Sequence, residues 1–131
     1  MERNEKTRAL LAAFGCALAY LLAGKALTAV LPQVPEEAAR MWAFVHRCAA
    51  APIVEELVFR GIIQQLARPL GERQAVALQA VLFAVQHRGP AGMAYALVCG
   101  LVLGPICSRT GSVWPGMLLH TLNNLLVFAA G

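Results

Sequence analysis

The stretch Ala49-Ala50-Ala51-Pro52-Ile53-Val54-Glu55-Glu56-Leu57-Val58-Phe59-Arg60 sets two adjacent carboxylates and a guanidinium in an otherwise apolar run. Around it the chain reads as membrane-embedded. Of 131 residues 59% are hydrophobic and 14% charged, with a mean hydropathy of +0.62, too apolar for an ordinary soluble domain of this size. An ionisable side chain near the bilayer midplane costs roughly 3 kcal/mol on insertion scales. The cluster Glu55, Glu56, Arg60 therefore predicts a buried polar site with partners inside a helix bundle. The strongly polar residues at comparable depth are His87, His120, Asn123 and Asn124.

Working outward, the expected fold is all-α, a polytopic transmembrane bundle of about five membrane helices, since a spanning helix takes ~20 residues and connections are short. The pattern predicts helices over 9–31, 35–67, 72–87, 91–107 and 113–130. The small residues Ala12, Ala13, Gly15, Ala17 and Ala19 suit close contact of the first helix with a neighbour, and Lys25 can snorkel to the interface. Pro32 and Pro35 mark a loop. Glu36 and Glu37 complement the dipole at the start of the second helix. The early part of that helix, with Arg40, Trp42, His46 and Arg47, reads as interfacial, and Pro52 predicts a kink. Pro69-Leu70-Gly71 ends it. Gly89-Pro90 interrupts the third helix, and Gly100, Gly104 and Pro105 make the fourth irregular or tightly packed. The whole chain, 1–131, is expected to form a single membrane domain.

The net charge of +4 and pI near 9.2 do not point to nucleic acid, because the basic residues are dispersed over segment ends. Arg3, Lys6 and Arg8 precede the first apolar run, Arg68 and Arg73 follow the second, and Arg109 follows the fourth. The positive-inside rule makes these ends cytoplasmic and the N-terminus with them, against Arg40 and Arg88. The first apolar run is longer than the core of a secretory signal and reads as a retained helix. Cys16, Cys48, Cys99 and Cys107 have neither CxxC nor Cys/His metal spacing and read as small core residues.

Helical spacing sorts the polar residues. Glu56 and Arg60 are i,i+4, so a carboxylate lies beside a guanidinium that can neutralise it. Glu55 is turned ~100° away and is free to meet another partner. Phe83 and His87, and His120 and Asn124, are further i,i+4 pairs. Any one of these alone is a common interhelical tie. Together, three helices supply more ionisable chemistry than packing requires. A carboxylate in a low-dielectric site can act as a general base with an imidazole to share the proton, and a second His with an Asn can donate hydrogen bonds to a developing oxyanion. Addition of water to a peptide carbonyl fits this set. Zinc held by a Glu and two His is the competing use of the same groups, although no His-Glu-x-x-His helix is present.

Glu55-Glu56-Leu57-Val58-Phe59-Arg60 matches Glu-Glu-x-x-x-Arg, Phe83 to His87 matches Phe-x-x-x-His, and His120 to Asn124 matches His-x-x-x-Asn. In this order, with Arg109-Thr110-Gly111-Ser112-Val113-Trp114-Pro115 before the last, the chain resembles the CPBP intramembrane proteases, also called the CAAX protease and bacteriocin-processing (Abi) family. The resemblance covers 51–127 as a catalytic core, leaving 1–50 as an extra helix and interfacial segment. It implies an intramembrane endopeptidase acting on a membrane-associated protein or peptide. Glu55 would activate water with His87, and His120 and Asn124 would stabilise the oxyanion. Glu56, Arg60 and Phe83 would support them. The family is described both as metalloproteases and as metal-independent glutamic-type proteases; the oxyanion reading of His120 and Asn124 fits the second, with no metal favoured, and if zinc is present Glu55, His87 and His120 would hold it. A minimal bacterial or archaeal version of the core, in the cell membrane, is the expected setting. A non-catalytic scaffold or immunity protein of the same family is the alternative, and a proton-coupled transporter is a third use of buried ionisable groups.

Overall fold

The computed structural model describes residues 2–32 and 34–131. Gln33, in the expected loop between Pro32 and Pro35, lies outside the described residues. Among the described residues there are five helices and no strand: α1 (Glu2–Val30), α2 (residues 36–66), α3 (Glu72–Ala84), α4 (Gly89–Thr110) and α5 (Trp114–Ala130). A short 3-10 turn, Arg68–Leu70, joins α2 to α3. Two helices, α1 and α4, are long and apolar enough to cross a membrane. At 1.5 Å per residue the 13 residues of α3 fall short of a bilayer core. The outer surface is rich in Leu and Val, including Leu11, Leu18, Leu22, Val98, Leu118 and Leu126. Such a surface suits lipid rather than water.

Helix boundaries depart from the sequence pattern in ways the backbone explains. The first helix begins at Glu2 rather than Ala9, its charged first turns carrying an i,i+4 Glu2–Lys6 ion pair. The third stops at Ala84 instead of His87. Its last turn tightens, with Gln86 N–H donating to Phe83 O at 3.2 Å and His87 N–H to Ala84 O at 3.0 Å. The fourth runs three residues further than expected at its end and is unbroken through Pro105. Its glycines serve close packing. A Cβ on Gly100 would lie 2.7 Å from both Cα and Cβ of Ala80, so α3 and α4 touch backbone to side chain there.

Helix α2 continues through Pro52. Just before it the helix widens into a π turn at His46–Ala50, where Ala51 N–H reaches back five residues to His46 O. A second π turn, Leu57–Ile63, follows the carboxylates, with Gln64 N–H on Phe59 O. Widening the ladder by one residue accommodates the proline, which lacks an N–H, and leaves a carbonyl over at each turn. Side chains take up both. Arg47 O accepts Asn124 Nδ2 at 2.8 Å, and Arg60 O accepts Gln65 Nε2 at 3.2 Å and lies 3.9 Å from the Cys107 thiol.

The core gathers Ala13 and Ala17 of α1, Phe59 and Ile63 of α2, Leu82, Phe83 and Ala84 of α3, and Ala96 of α4. Of the small α1 residues, Ala13 and Ala17 face this core while Ala12, Gly15 and Ala19 are exposed. Tyr20 sets its edge on Phe59 at 5.4 Å between centroids. Helix α5 runs antiparallel to α2, its contacts stepping from Val113 near Gly61, through His120 at Glu56, to Phe128 against Phe44. Cys48 and Cys107 are buried, Cys16 and Cys99 half-buried, and all four thiols are free.

Candidate active site

Glu56 and Arg60 have no exposed surface; Glu56 meets His120 of α5 and Arg60 meets Phe83 of α3. Glu56 Oε1 lies 3.3 Å from Arg60 Nη1 and 2.9 Å from His120 Nδ1. The guanidinium rests on the Phe83 ring, 4.5 Å from its centroid, within cation–π range. Among the described residues none of the three guanidinium nitrogens has a hydrogen-bond acceptor in good geometry, nor has Glu56 Oε2 a donor. Glu56 is therefore the counter-charge that makes burial of Arg60 tolerable. Space for it comes from Gly116, where a Cβ would stand 2.7 Å from Glu56 Oε2.

His120 is the meeting point of the two carboxylates. A carboxylate can only accept, so Nδ1 carries the hydrogen donated to Glu56. That bond turns Nε2 toward Glu55, whose Oε2 is 3.6 Å away. At this separation the two attract as charges but do not hydrogen-bond. With both carboxylates ionised and His120 neutral, two carboxylates and one guanidinium sum to one net negative charge.

Phe83 brings the third helix in. Its ring lies 4.7 Å from the His87 ring and 5.9 Å from that of His120, edge-on in both cases. His87 lies beyond the early stop of α3 at Ala84, with its ring against Phe83. His87 Nδ1 is 3.0 Å from Phe83 O. A carbonyl also only accepts, so Nδ1–H is donated there and Nε2 is left as the basic nitrogen in the neutral ring.

Asn124 stands apart from this cluster. It shares the His120 face of α5, but its amide is held by Arg47 O, the carbonyl that Pro52 and the π turn leave over, and its Oδ1 accepts from Asn123 Nδ2 at 3.3 Å. The sequence pattern also passed over two buried amides. Gln64 donates to Gly104 O at 3.0 Å and to Ser108 Oγ at 2.9 Å, and Gln79 to Gly100 O at 2.8 Å. Gln64 continues the stripe Glu56, Arg60 at i,i+4, which is the spacing that could have revealed it.

Between α4 and α5 a groove of about 330 Å³ opens beside the cluster. Val98, Cys99, Val102, Leu103 and Leu119 make its apolar walls, and His120, Tyr95 and Asn123 complete it. The Tyr95 hydroxyl donates to Asn123 Oδ1 across the groove. A second cavity, of about 400 Å³, lies beside the turn joining these helices and includes Arg68, Ser112 and Trp114.

Zinc needs three protein ligands for a catalytic site. Among the described residues no three His, Cys, Asp or Glu side chains converge closely enough to hold a metal ion. Glu55 and His120 make a pair, with His87 standing off against Phe83.

The family described as Type II CAAX prenyl endopeptidase Rce1-like matches residues 37–126. The match runs from the first turn of α2 into α5 and includes all three motifs. No curated protein and no solved structure matches the chain.

Proposed function

Since the chain belongs to the type II CAAX prenyl endopeptidase Rce1-like family of intramembrane proteases, we propose that it hydrolyses a peptide bond of a membrane-associated protein or peptide, with Glu55 as the base. The observation that carries this reading is His120 held between Glu55 and Glu56 beside an apolar groove. Glu55 takes a proton from water as the oxygen attacks the peptide carbonyl, and His87 Nε2 shares that proton before it passes to the leaving amine. His120, fixed through Nδ1 by Glu56, offers Nε2–H to the oxyanion when protonated. Asn124 joins it by releasing Arg47 O. Glu56 thus positions His120 as well as neutralising Arg60.

The same reading extends to setting. All five helices lie in or at the membrane, α3 as a short recessed helix, which irregular backbone at 85–88 permits where it lines a protein cavity. Residues 51–127 form the catalytic core of a single domain, and 1–50 supply α1 and an interfacial segment. The N-terminus is cytoplasmic and the setting a prokaryotic cell membrane. No metal takes part.

Purified protein in proteoliposomes is expected to cleave a membrane-anchored peptide, and His87→Ala to lose that cleavage while staying folded and inserted. A His87→Ala protein that cleaves at the wild-type rate refutes the assigned roles. Elemental analysis is expected to show no stoichiometric zinc; zinc that disappears on mutation of His87 or His120 overturns the metal-free mechanism.

A further inference from the structure

The cavity of about 400 Å³ lies where two connections meet at one end of the bundle. Arg68, in the 3-10 turn between α2 and α3, lines it together with Gln65 and with Ser112 and Trp114 from the start of α5. Each of these side chains has a hydrogen to give. Arg68 brings a fixed positive charge and five N–H donors. Gln65 donates one amide hydrogen to Arg60 O at 3.2 Å and keeps the other. Ser112 Oγ accepts from Trp114 N–H at 3.3 Å, which leaves its own hydrogen free, and the Trp114 indole is a donor only. No Asp or Glu lines the cavity. Among the described residues no carboxylate comes within ion-pair distance of Arg68.

A cavity lined by donors around a guanidinium selects an anion, and its place in the fold narrows which one. Arg73 sits in the first turn of α3 and Arg109 in the last turn of α4, beside the same two connections. Trp114 is 70% exposed, as tryptophans are at the boundary of bilayer and water. Phosphate is the anionic group that crowds this boundary, and a guanidinium binds it through two parallel hydrogen bonds. The volume suits an organic ester better than a bare ion. We propose that this cavity holds the phosphate of a net-negative ester, a phospholipid headgroup or a soluble phosphate ester, with Arg68 as counter-charge and Ser112 and the Trp114 indole as donors. The site does not depend on the peptidase reading. It has a structural consequence, because Val113, also in the lining, stands 3.6 Å from where a Cβ on Gly61 would lie. An occupant there braces the start of α5 against α2.

The test uses the full chain with Trp42→Phe, which leaves Trp114 as its single tryptophan. In detergent micelles, phosphatidylglycerol brominated on its acyl chains is expected to quench Trp114 emission saturably, and unbrominated phosphatidylglycerol to restore it. Arg68→Gln is expected to weaken that binding by about 5-fold or more. Arg73→Gln, at the same end but outside the cavity lining, is expected to leave it unchanged. Ser112→Ala alters no charge and is expected to weaken it several-fold, so it decides the question if Arg68→Gln does not fold. The source of the phosphate is read with sn-glycerol 3-phosphate. A change in Trp114 emission with this ester alone, weakened in the same variants, assigns the site to a soluble ester; no change, beside saturable quenching by the lipid, assigns it to the headgroup. Equal quenching by brominated phosphatidylcholine, equal weakening by Arg68→Gln and Arg73→Gln, wild-type binding in Ser112→Ala, or no response to either ester overturns the proposal.

Discussion

Replacing Arg60 by Met removes one charge of a pair that has no access to solvent. Glu56 and Arg60 are both 0% exposed and 3.3 Å apart, so neither has water to fall back on. Breaking such a buried pair from one side costs about 3–5 kcal/mol, whereas replacing both partners by apolar residues of similar volume is close to neutral. Arg60→Met leaves the Glu56 carboxylate with His120 alone, and Glu56→Leu leaves the guanidinium on Phe83 without a counter-charge. Each is expected to lower the melting temperature by on the order of 10–20 °C. In Glu56→Leu combined with Arg60→Met the pair penalty disappears. What remains is the His120 Nδ1–H left without its acceptor, about 1–3 kcal/mol. The double variant is thus expected to be more stable than either single, with a coupling of at least about 2 kcal/mol. The assay is thermal unfolding in detergent read by a thiol-reactive dye, for which buried Cys48 and Cys107 are internal reporters. Activity should stay lost in the double variant, because His120 is no longer held. Single-variant costs that simply add would show that the two residues do not act as a pair, and would refute the reasoning.

Gly116→Ala puts a methyl 2.7 Å from Glu56 Oε2. It is expected to cost about 1–3 kcal/mol and to lower cleavage by displacing the carboxylate from His120, with Gly15→Ala, where nothing lies within 4 Å, as the control that does neither; equal behaviour of the two would show that Glu56 has room to spare. Asn124→Ala strands Arg47 O and is expected to cost about 1 kcal/mol. Pro52→Ala supplies a backbone N–H that can take its place, so the stability loss of Asn124→Ala should shrink in that background while its cleavage defect persists. Thermal unfolding and cleavage measured side by side separate the two roles, and recovery of both together would leave Asn124 with a structural role only.

Much of this arrangement is legible in the residues themselves. The Glu56–Arg60 spacing announces an ion pair, and Glu55, His87 and His120 could be expected at one site because each is costly in hydrocarbon. What escapes the sequence has a common cause in the backbone of α2 and the end of α3. Helical periodicity assumes 3.6 residues per turn. Two π turns shift the register of everything after Pro52, and with it the carbonyls that need donors. Asn124 reads as a neighbour of His120 until the carbonyl of Arg47 is known to be unpaired. Glu56 reads as belonging to Arg60 alone until α5, running antiparallel at Gly116, brings His120 onto the same oxygen. Gln64 and Gln79 look like surface amides among apolar residues, and only the close approach of α4 reveals the backbone carbonyls that satisfy them. The early end of α3 depends on i to i+3 hydrogen bonds that residue spacing does not encode.

The most direct test of the central claim is the cleavage rate of Glu55→Gln relative to wild type, per molecule of folded protein, in the same proteoliposomes and on the same membrane-anchored peptide. Gln keeps the shape of Glu55 and its place opposite His120 but cannot take a proton from water. With Glu55 as the general base, the rate is expected to fall by at least about 10²-fold, with unchanged insertion and melting temperature. Wild-type cleavage by Glu55→Gln would contradict the assignment and move the chemistry to another group.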